Sequence, residues 1–520
     1  MHVRWILTAA AALAVVAACN KDQESVAPVA AEADVAFHRQ NNGNEGFQTE
    51  QPAQAEGLVP GAKLVPILTT GDILPGSNLP WAPVPDGLGA YRDGRGVTVF
   101  ANHEITASGV TSSNGGPGFL FSRVSRLQLD PRSLRILQGD YVEDGSGGYI
   151  RFCSATWAGE EEGLPTGYFL TGEENGATAR GSVVLAVSGQ GQKTELPHLG
   201  AFSHENTVPI PGYDKVVSLG TDDSNGQSEL YMYVANNERA FLSGDQTKGH
   251  LYVFKTDAKS AAGNPLHSGN MQVGESIKGY FVPIDDPADL GAAPADRYAR
   301  LQAKVDALGA MPFVRLEDAD YVRGRRHARG EPTAYFVDTG NEATTGRPQV
   351  GADCGGPCDP YGSIYKIELS EGDPTQWAEL TLVARSAGPL SGWSSPDNVG
   401  ISRRSIMIME DPANTQWNGS RAPGIWNAPL YPRGRVGTFQ QVARVTQETL
   451  IPGAAGKCVD SSGLCWESSG IISTDDLLGP GTWLFDVQAH TLPFTVGTGA
   501  DAKQYSKESG QLLYLRLPGS

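Results

Sequence analysis

At six places along the chain, a metal-ligand type of residue stands where one apolar run begins and another where the next run ends. The paired segments are 85–91 with 97–104, 153–155 with 167–174, 204–208 with 215–223, 315–319 with 333–338, 395–399 with 405–411, and 467–471 with 482–490. Candidate ligands at these positions are Asp86, Glu104, Cys153, Glu173, Glu174, Glu205, Asp222, Asp223, Glu317, Asp338, Asp397, Glu410 and Asp411. Carboxylates are the hard oxygen ligands of multivalent cations. So many like charges cannot all ionise in a small volume without counter-cations. Any one of these acids read alone is a turn acid facing solvent. Their recurrence at the same place in six units argues for a metal cluster.

The runs that must position them are short, rich in Val, Ile, Tyr, Phe and Thr, and bounded by Gly or Pro, which predicts strands. Two antiparallel strands joined by a turn lay the start of the first beside the end of the second. Every hairpin therefore carries its acids at one end and its turn at the other. A repeated β-unit that cannot bury its own faces packs against its copies, and radial packing of such sheets is a propeller. The expected fold is all-β, a six-bladed β-propeller with long loop insertions at 237–312, 339–362 and 412–437. One helix is predicted over 296–308, where Tyr298, Leu301, Val305 and Leu308 share a face and Gly309 follows.

Residues 1–18 carry one cation, Arg4, and an apolar run too short to span a bilayer, ending in Val16-Ala17-Ala18 before Cys19. They read as a lipoprotein signal peptide, with lipidation at Cys19. The alternative is an ordinary secretory signal in which Cys19 is incidental. Residues 19–56 lack periodicity and read as a flexible tether, leaving 57–520 as one propeller domain. The expected location is the bacterial cell envelope, lipid-anchored and facing the periplasm or exterior. Export makes Cys354 with Cys358, and Cys458 with Cys465, the expected small-loop disulfides. Cys153 is then left alone, as a buried small hydrophobe or a ligand.

The chain carries 58 Asp and Glu against 40 Lys and Arg, a formal charge of −18, which argues against nucleic-acid binding. The one basic cluster, Arg323-Gly324-Arg325-Arg326-His327-Ala328-Arg329, falls in a hairpin turn remote from the acids and reads as solvated. His103 and His204 precede candidate acids, as donors to them or as core histidines. No zinc-protease helix, nucleophile elbow or phosphate-binding Gly-rich loop occurs.

Asn102-His103-Glu104, the lone Cys153 followed by Thr171-Gly172-Glu173-Glu174-Asn175, His204-Glu205, Arg315-Leu316-Glu317-Asp318 and Pro396-Asp397-Asn398 together resemble the PhoX-type alkaline phosphatases, over most of the chain from about Gly57. The resemblance implies a metal-dependent phosphoesterase acting on phosphorylated small molecules at an iron and calcium cluster. It makes Cys153 an iron ligand, with Glu104, Glu173, Glu205, Glu317, Asp222 and Asp397 sharing iron and calcium, and Arg315 the residue that clamps phosphate. The twin-arginine signal common in that family is absent, and Leu316 stands where its members tend to have Pro. A monomer is expected, touching the membrane only through Cys19. The alternatives are a non-enzymatic propeller held by calcium alone and binding a partner or glycan, and a propeller hydrolase of another ester.

Overall fold

The computed structural model describes residues 45–518 apart from 116–117, 225–227, 285–291, 324–331, 342–358, 413–420 and 451–464. The signal and most of the tether, Cys19, Cys354, Cys358, Cys458 and the basic run after Arg323 lie outside the described residues. Cys465 is disulfide-bonded.

The chain is mostly β, and its strands recur as antiparallel four-stranded units in chain order. The first is Pro85–Asp93, Gly96–His103, Arg123–Leu129 and Ile136–Glu143; the second runs from Phe152–Ala158 to Lys193–Leu196. The third and fourth, starting at His204–Pro209 and Leu316–Tyr321, are fused into one sheet where Ser276–Pro283 pairs with Ala378–Arg385. The fifth starts at Pro396–Ile401 and gains Ala55–Gly57 at its edge. In the last, Glu467–Ser473, Thr482–Ala489 and Ser509–Arg516 are completed by Lys63–Thr69 from the other end of the chain. First strands touch first strands in a closed cycle: Pro85–Asp93 meets Phe152–Ala158, and so on round to Glu467–Ser473, which returns to Pro85–Asp93. The arrangement is propeller-like. The helix forms as Pro294–Leu308, buries Leu301 and Val305, and ends on a left-handed Gly309.

Stability comes from the faces between neighbouring units. Phe100, Phe152, Phe169 and Val187 fill one such layer, and Tyr91 stacks on Trp157 at 4.2 Å. Trp483, Phe485, Met407 and Ile425 fill another. Each such side chain contributes about 1.5–3 kcal/mol on burial. No sheet can bury both faces alone, so closure of the ring by Lys63–Thr69 stabilises every unit.

Each first strand is also distorted at one place. Its pairing with the second strand slips at Pro85/Leu88, Phe152/Ala155, His204/Asn206, Leu316/Ala319, Pro396/Val399 and Ser468/Ile471. These are β-bulges, which bend a strand and re-aim a side chain. The crowding they create is visible at Gly87, where a Cβ would lie 2.4 Å from the Ala155 nitrogen.

Candidate metal centre

The bulges hold the chemistry. The first residue released from regular pairing is Asp86, Cys153, Glu205, Glu317, Asp397 and Ser469 in turn, five ligand types and one serine. Potential ligand atoms of three overlapping groups lie within 4.8 Å of one another: Asp86, Glu104 and Cys153; Cys153, Glu174 and Glu205; Glu205, Glu317 and Asp397. Cys153 and Glu205 each belong to two groups, so the three are continuous. Above them lies a cavity of about 170 Å³ lined by Glu104, Cys153, Glu174, Asp223, Glu317, Asp397, Asp411, Glu467, Gln488, His490, Arg151 and Arg315.

Second strands supply the other half. Where Gly96–His103, Tyr168–Glu173, Val216–Asp222 and Ser405–Glu410 end, the next residue lines the cavity: Glu104, Glu174, Asp223 and Asp411. The last strand residue turns outward and caps loop nitrogens. Glu173 accepts from Ile150 N at 3.2 Å, Thr178 Oγ1 at 2.7 Å and Val183 N at 3.3 Å. Asp222 accepts from Ser203 N and Ser224 Oγ. Asp338 accepts from Val314 N, Arg315 N and Gly340 N. Glu410 accepts from Ser394 N and Gly424 N and pairs with Arg421.

Of the seven expected ligands, Cys153, Glu104, Glu205, Glu317 and Asp397 are thus brought together, while Glu173 and Asp222 are turned away in favour of Glu174 and Asp223. Adjacent acids on a strand point to opposite sides, and the sequence does not say which member of Glu173-Glu174 or Asp222-Asp223 faces in. His103 and His204 also turn outward, to Pro83 O and Ser125 Oγ and to Ser182 O and Gly200 O. Burial lowers their pKa values to about 3 and about 4, so both are neutral core histidines. Arg151, Glu467, Gln488 and His490 were not among the expected site residues, although Glu467 and His490 bound the sixth paired segment. Gln488 occupies the register of Glu104, and His490 Nδ1 donates to Glu508 Oε2, 2.7 Å away.

The electrostatics fit a cation cluster. Burial raises the carboxyls of Asp86, Glu205, Glu317 and Asp397 well above their ordinary range, and each is pushed further by neighbouring acids. Burial, followed by Asp86 and Glu205, raises the Cys153 thiol likewise. Glu174 is pushed up to about 8 by burial, although Arg151 pulls it down. Asp86 Oδ1 and Glu205 Oε2 are buried without a hydrogen bond. An orphaned buried carboxylate oxygen costs several kcal/mol unless a proton or a cation meets it. Oxygen donors with one thiolate suit calcium together with a transition metal. Arg315 lies against this set, its Nε and Nη2 forked onto Asp223 at 2.8 and 2.6 Å and Nη2 3.1 Å from Glu317.

A family model described as alkaline phosphatase PhoX matches residues 184–458. No curated protein matches the chain. Among solved structures, Trypanosoma rangeli sialidase bound to a difluoro-KDN is similar at 10% identity and a TM-score of 0.39, over 89% of this chain and 59% of the sialidase. A glycosyl hydrolase from Bacteroides ovatus is similar at 9% identity and a TM-score of 0.30, over 88% of this chain and 91% of its own.

Proposed function

The chain belongs to the PhoX alkaline phosphatase family, and on that premise we propose that it is a metal-dependent phosphomonoesterase whose cluster sits at one mouth of a six-bladed propeller. The observation that carries this reading is the continuous set of buried ligands from Asp86 to Asp397 beside an arginine.

Cys153, Asp86, Glu104, Glu174, Glu205, Glu317 and Asp397 would hold iron and calcium, with the thiolate on iron. Bound there, the cations supply positive charge where phosphoryl transfer gathers negative charge, and activate water as the nucleophile. The chain's own residues do the rest. Asp223 grips two nitrogens of Arg315 and fixes the plane of its guanidinium. Arg315 then donates to a phosphate oxygen in a direction set before substrate arrives, which is the preorganised electrostatic stabilisation such a transition state needs. Gln488 Nε2 donates to Glu104 and Asp86 at 3.1 and 3.3 Å and keeps both carboxylates turned inward. Ser154 Oγ and Asn398 Nδ2 form a relay onto Glu205 with the same effect. Without cations, this acidic lining repels a phosphate dianion, so metal removal abolishes binding as well as turnover.

In this reading residues 1–18 are removed, Cys19 carries lipid, and the tether expected over 19–56 ends before Phe47, which pairs with Ile136 as Ala55–Gly57 pairs with Gln440–Val445; the domain acts as a monomer at the cell envelope on phosphorylated small molecules. The test is elemental analysis of purified protein beside turnover of an aryl phosphate. Iron with calcium is expected, with activity lost on chelation and restored by both metals. Cys153→Ser and Glu205→Gln should lower metal content and rate together. Full turnover by metal-free protein would refute the reading.

A further inference from the structure

We propose that Arg151 is a second oxyanion-binding arginine of the cavity, and that Arg151 and Arg315 together select a phosphate monoester over a diester; this rests on the phosphatase reading above.

The two arginines are built alike. Arg151-Phe152-Cys153 and Arg315-Leu316-Glu317 each place an arginine two residues before a bulge ligand, at the head of a first strand. Each guanidinium is gripped along one edge by the carboxylate that follows a second strand. Arg151 donates from Nε to Glu174 Oε2 at 3.2 Å and from Nη2 to both Glu174 oxygens at 2.8 and 2.6 Å. Its Nη2 is also 2.9 Å from Glu104. Arg315 uses Nε and Nη2 on Asp223 in the same way. Nη1 takes part in none of these bonds in either residue, and both side chains line the same cavity. The Arg151 side chain is 39% exposed against 18% for Arg315, so it is open to an incoming anion.

The backbone at Arg151 fixes where its side chain starts. Its φ is +50°, a region unfavourable to a residue with a branched or long side chain. It is held there by bonds from its nitrogen to Ile105 O and from Glu174 N to its carbonyl. Val84 and Ser395, which also stand immediately before first strands, share the left-handed step, so the repeated unit imposes it.

The consequence for substrate follows from counting oxygens. A phosphomonoester offers three unesterified oxygens and a diester two. A monoester has one oxygen for each arginine and a third for the cluster, whereas a diester must share two oxygens among the three partners. In a diester the second ester carbon removes one acceptor and brings bulk toward a guanidinium.

The experiment compares metal-loaded wild type with Arg151→Gln and Arg151→Lys. It measures Ki values for inorganic phosphate and dimethyl phosphate against an aryl phosphate, together with metal content. In Arg151→Gln, the Ki for phosphate should rise about 10- to 100-fold, the scale of one charge-assisted contact. The Ki for dimethyl phosphate should stay within about twofold and metal content should hold. Arg151→Lys, which keeps the charge without the fork, should fall between. Equal weakening of both anions together with metal loss would overturn the inference and leave Arg151 as a clamp for Glu104 and Glu174. Unchanged Ki values would overturn it too. If wild type turns over no phosphate ester, the underlying reading fails. Calorimetry of phosphate on the same three proteins then judges Arg151 by itself, and equal affinities would refute its role.

Discussion

Two rings of buried acids, an outer one at the ends of second strands and an inner one built mostly on first strands, behave differently. In the outer ring Glu173, Asp222, Asp338 and Glu410 spend their oxygens on backbone N–H groups of the loops that lead into the first strands. In the inner ring Asp86, Glu174, Glu205, Glu317 and Asp397 crowd one another, and oxygens of Asp86 and Glu205 meet no donor. Outer acids hold the loops through backbone N–H groups, with Asp222 Oδ2 left unpaired; of the inner acids Glu174 is held by Arg151, while Asp86 and Glu205 each keep an oxygen that no donor meets. Whether an acid faces the cavity depends on which side of a pleat it occupies, not on its being acidic or buried.

The neighbours Glu173 and Glu174 give the sharpest break. Glu174→Gln removes a charge from the inner ring and from the grip on Arg151. It should lower metal content and cut phosphatase activity at least about 100-fold, beyond the 10- to 100-fold typical of groups behind a metal ligand. Glu173→Gln should leave metal content and KM near wild type and cost about 1–3 kcal/mol of stability through the loop nitrogens it abandons. Thermal denaturation and elemental analysis of the two variants read this directly, and reversed outcomes would exchange the roles of the rings.

Asp222 and Asp223 repeat the contrast at smaller amplitude, since Asp223 orients Arg315. Asp223→Asn loosens that fork and should raise KM for an aryl phosphate about 10-fold, the scale of a charge-assisted bond, with metals retained. Asp222→Asn should lower the melting temperature and leave KM in place.

Much of this was legible in the chain. The hairpins, the helix near 296–308 and the gathering of acids at one end follow from β-branched and aromatic runs between turn residues. Three things were not. Lys63–Thr69 completes the last unit by pairing with Ser509–Arg516, and no local pattern announces a partner so remote. The choice within Glu173-Glu174 and Asp222-Asp223 depends on which side of the second strand faces the cavity, and the bulges that aim the first-strand acids leave only a small trace: glycines at Gly87 and Gly470, where neighbouring backbone leaves no room for a side chain. Gln488 is neither an acid nor part of a motif, and only its register with Glu104 reveals it. The glycine signal can be tested. Gly87→Ala forces a Cβ against Ala155 N and Cys153 O and should cost about 1–3 kcal/mol, with strain delivered to the bulge that carries Asp86. A neutral substitution would mean that the first strands have slack at the axis.

The smallest expected effect belongs to the outer ring alone and is a matter of pH. Burial, followed by Asp359, raises Asp338 from 3.8 to about 7, although Val314, Arg315 and Gly340 nitrogens oppose the shift. The folded protein therefore holds this proton more tightly than the unfolded chain does. Its contribution to stability is fully present below about pH 4 and is lost as pH rises through about 7. Asp338→Asn cannot titrate there, so the stability difference between wild type and variant should favour wild type most near pH 4 and shrink toward pH 8. Denaturation of both proteins across that range, in chelator so that inner-ring cations do not contribute, measures it. A difference that grows with pH would mean that Asp338 is folded as a carboxylate, and would make the outer ring another place that needs a cation.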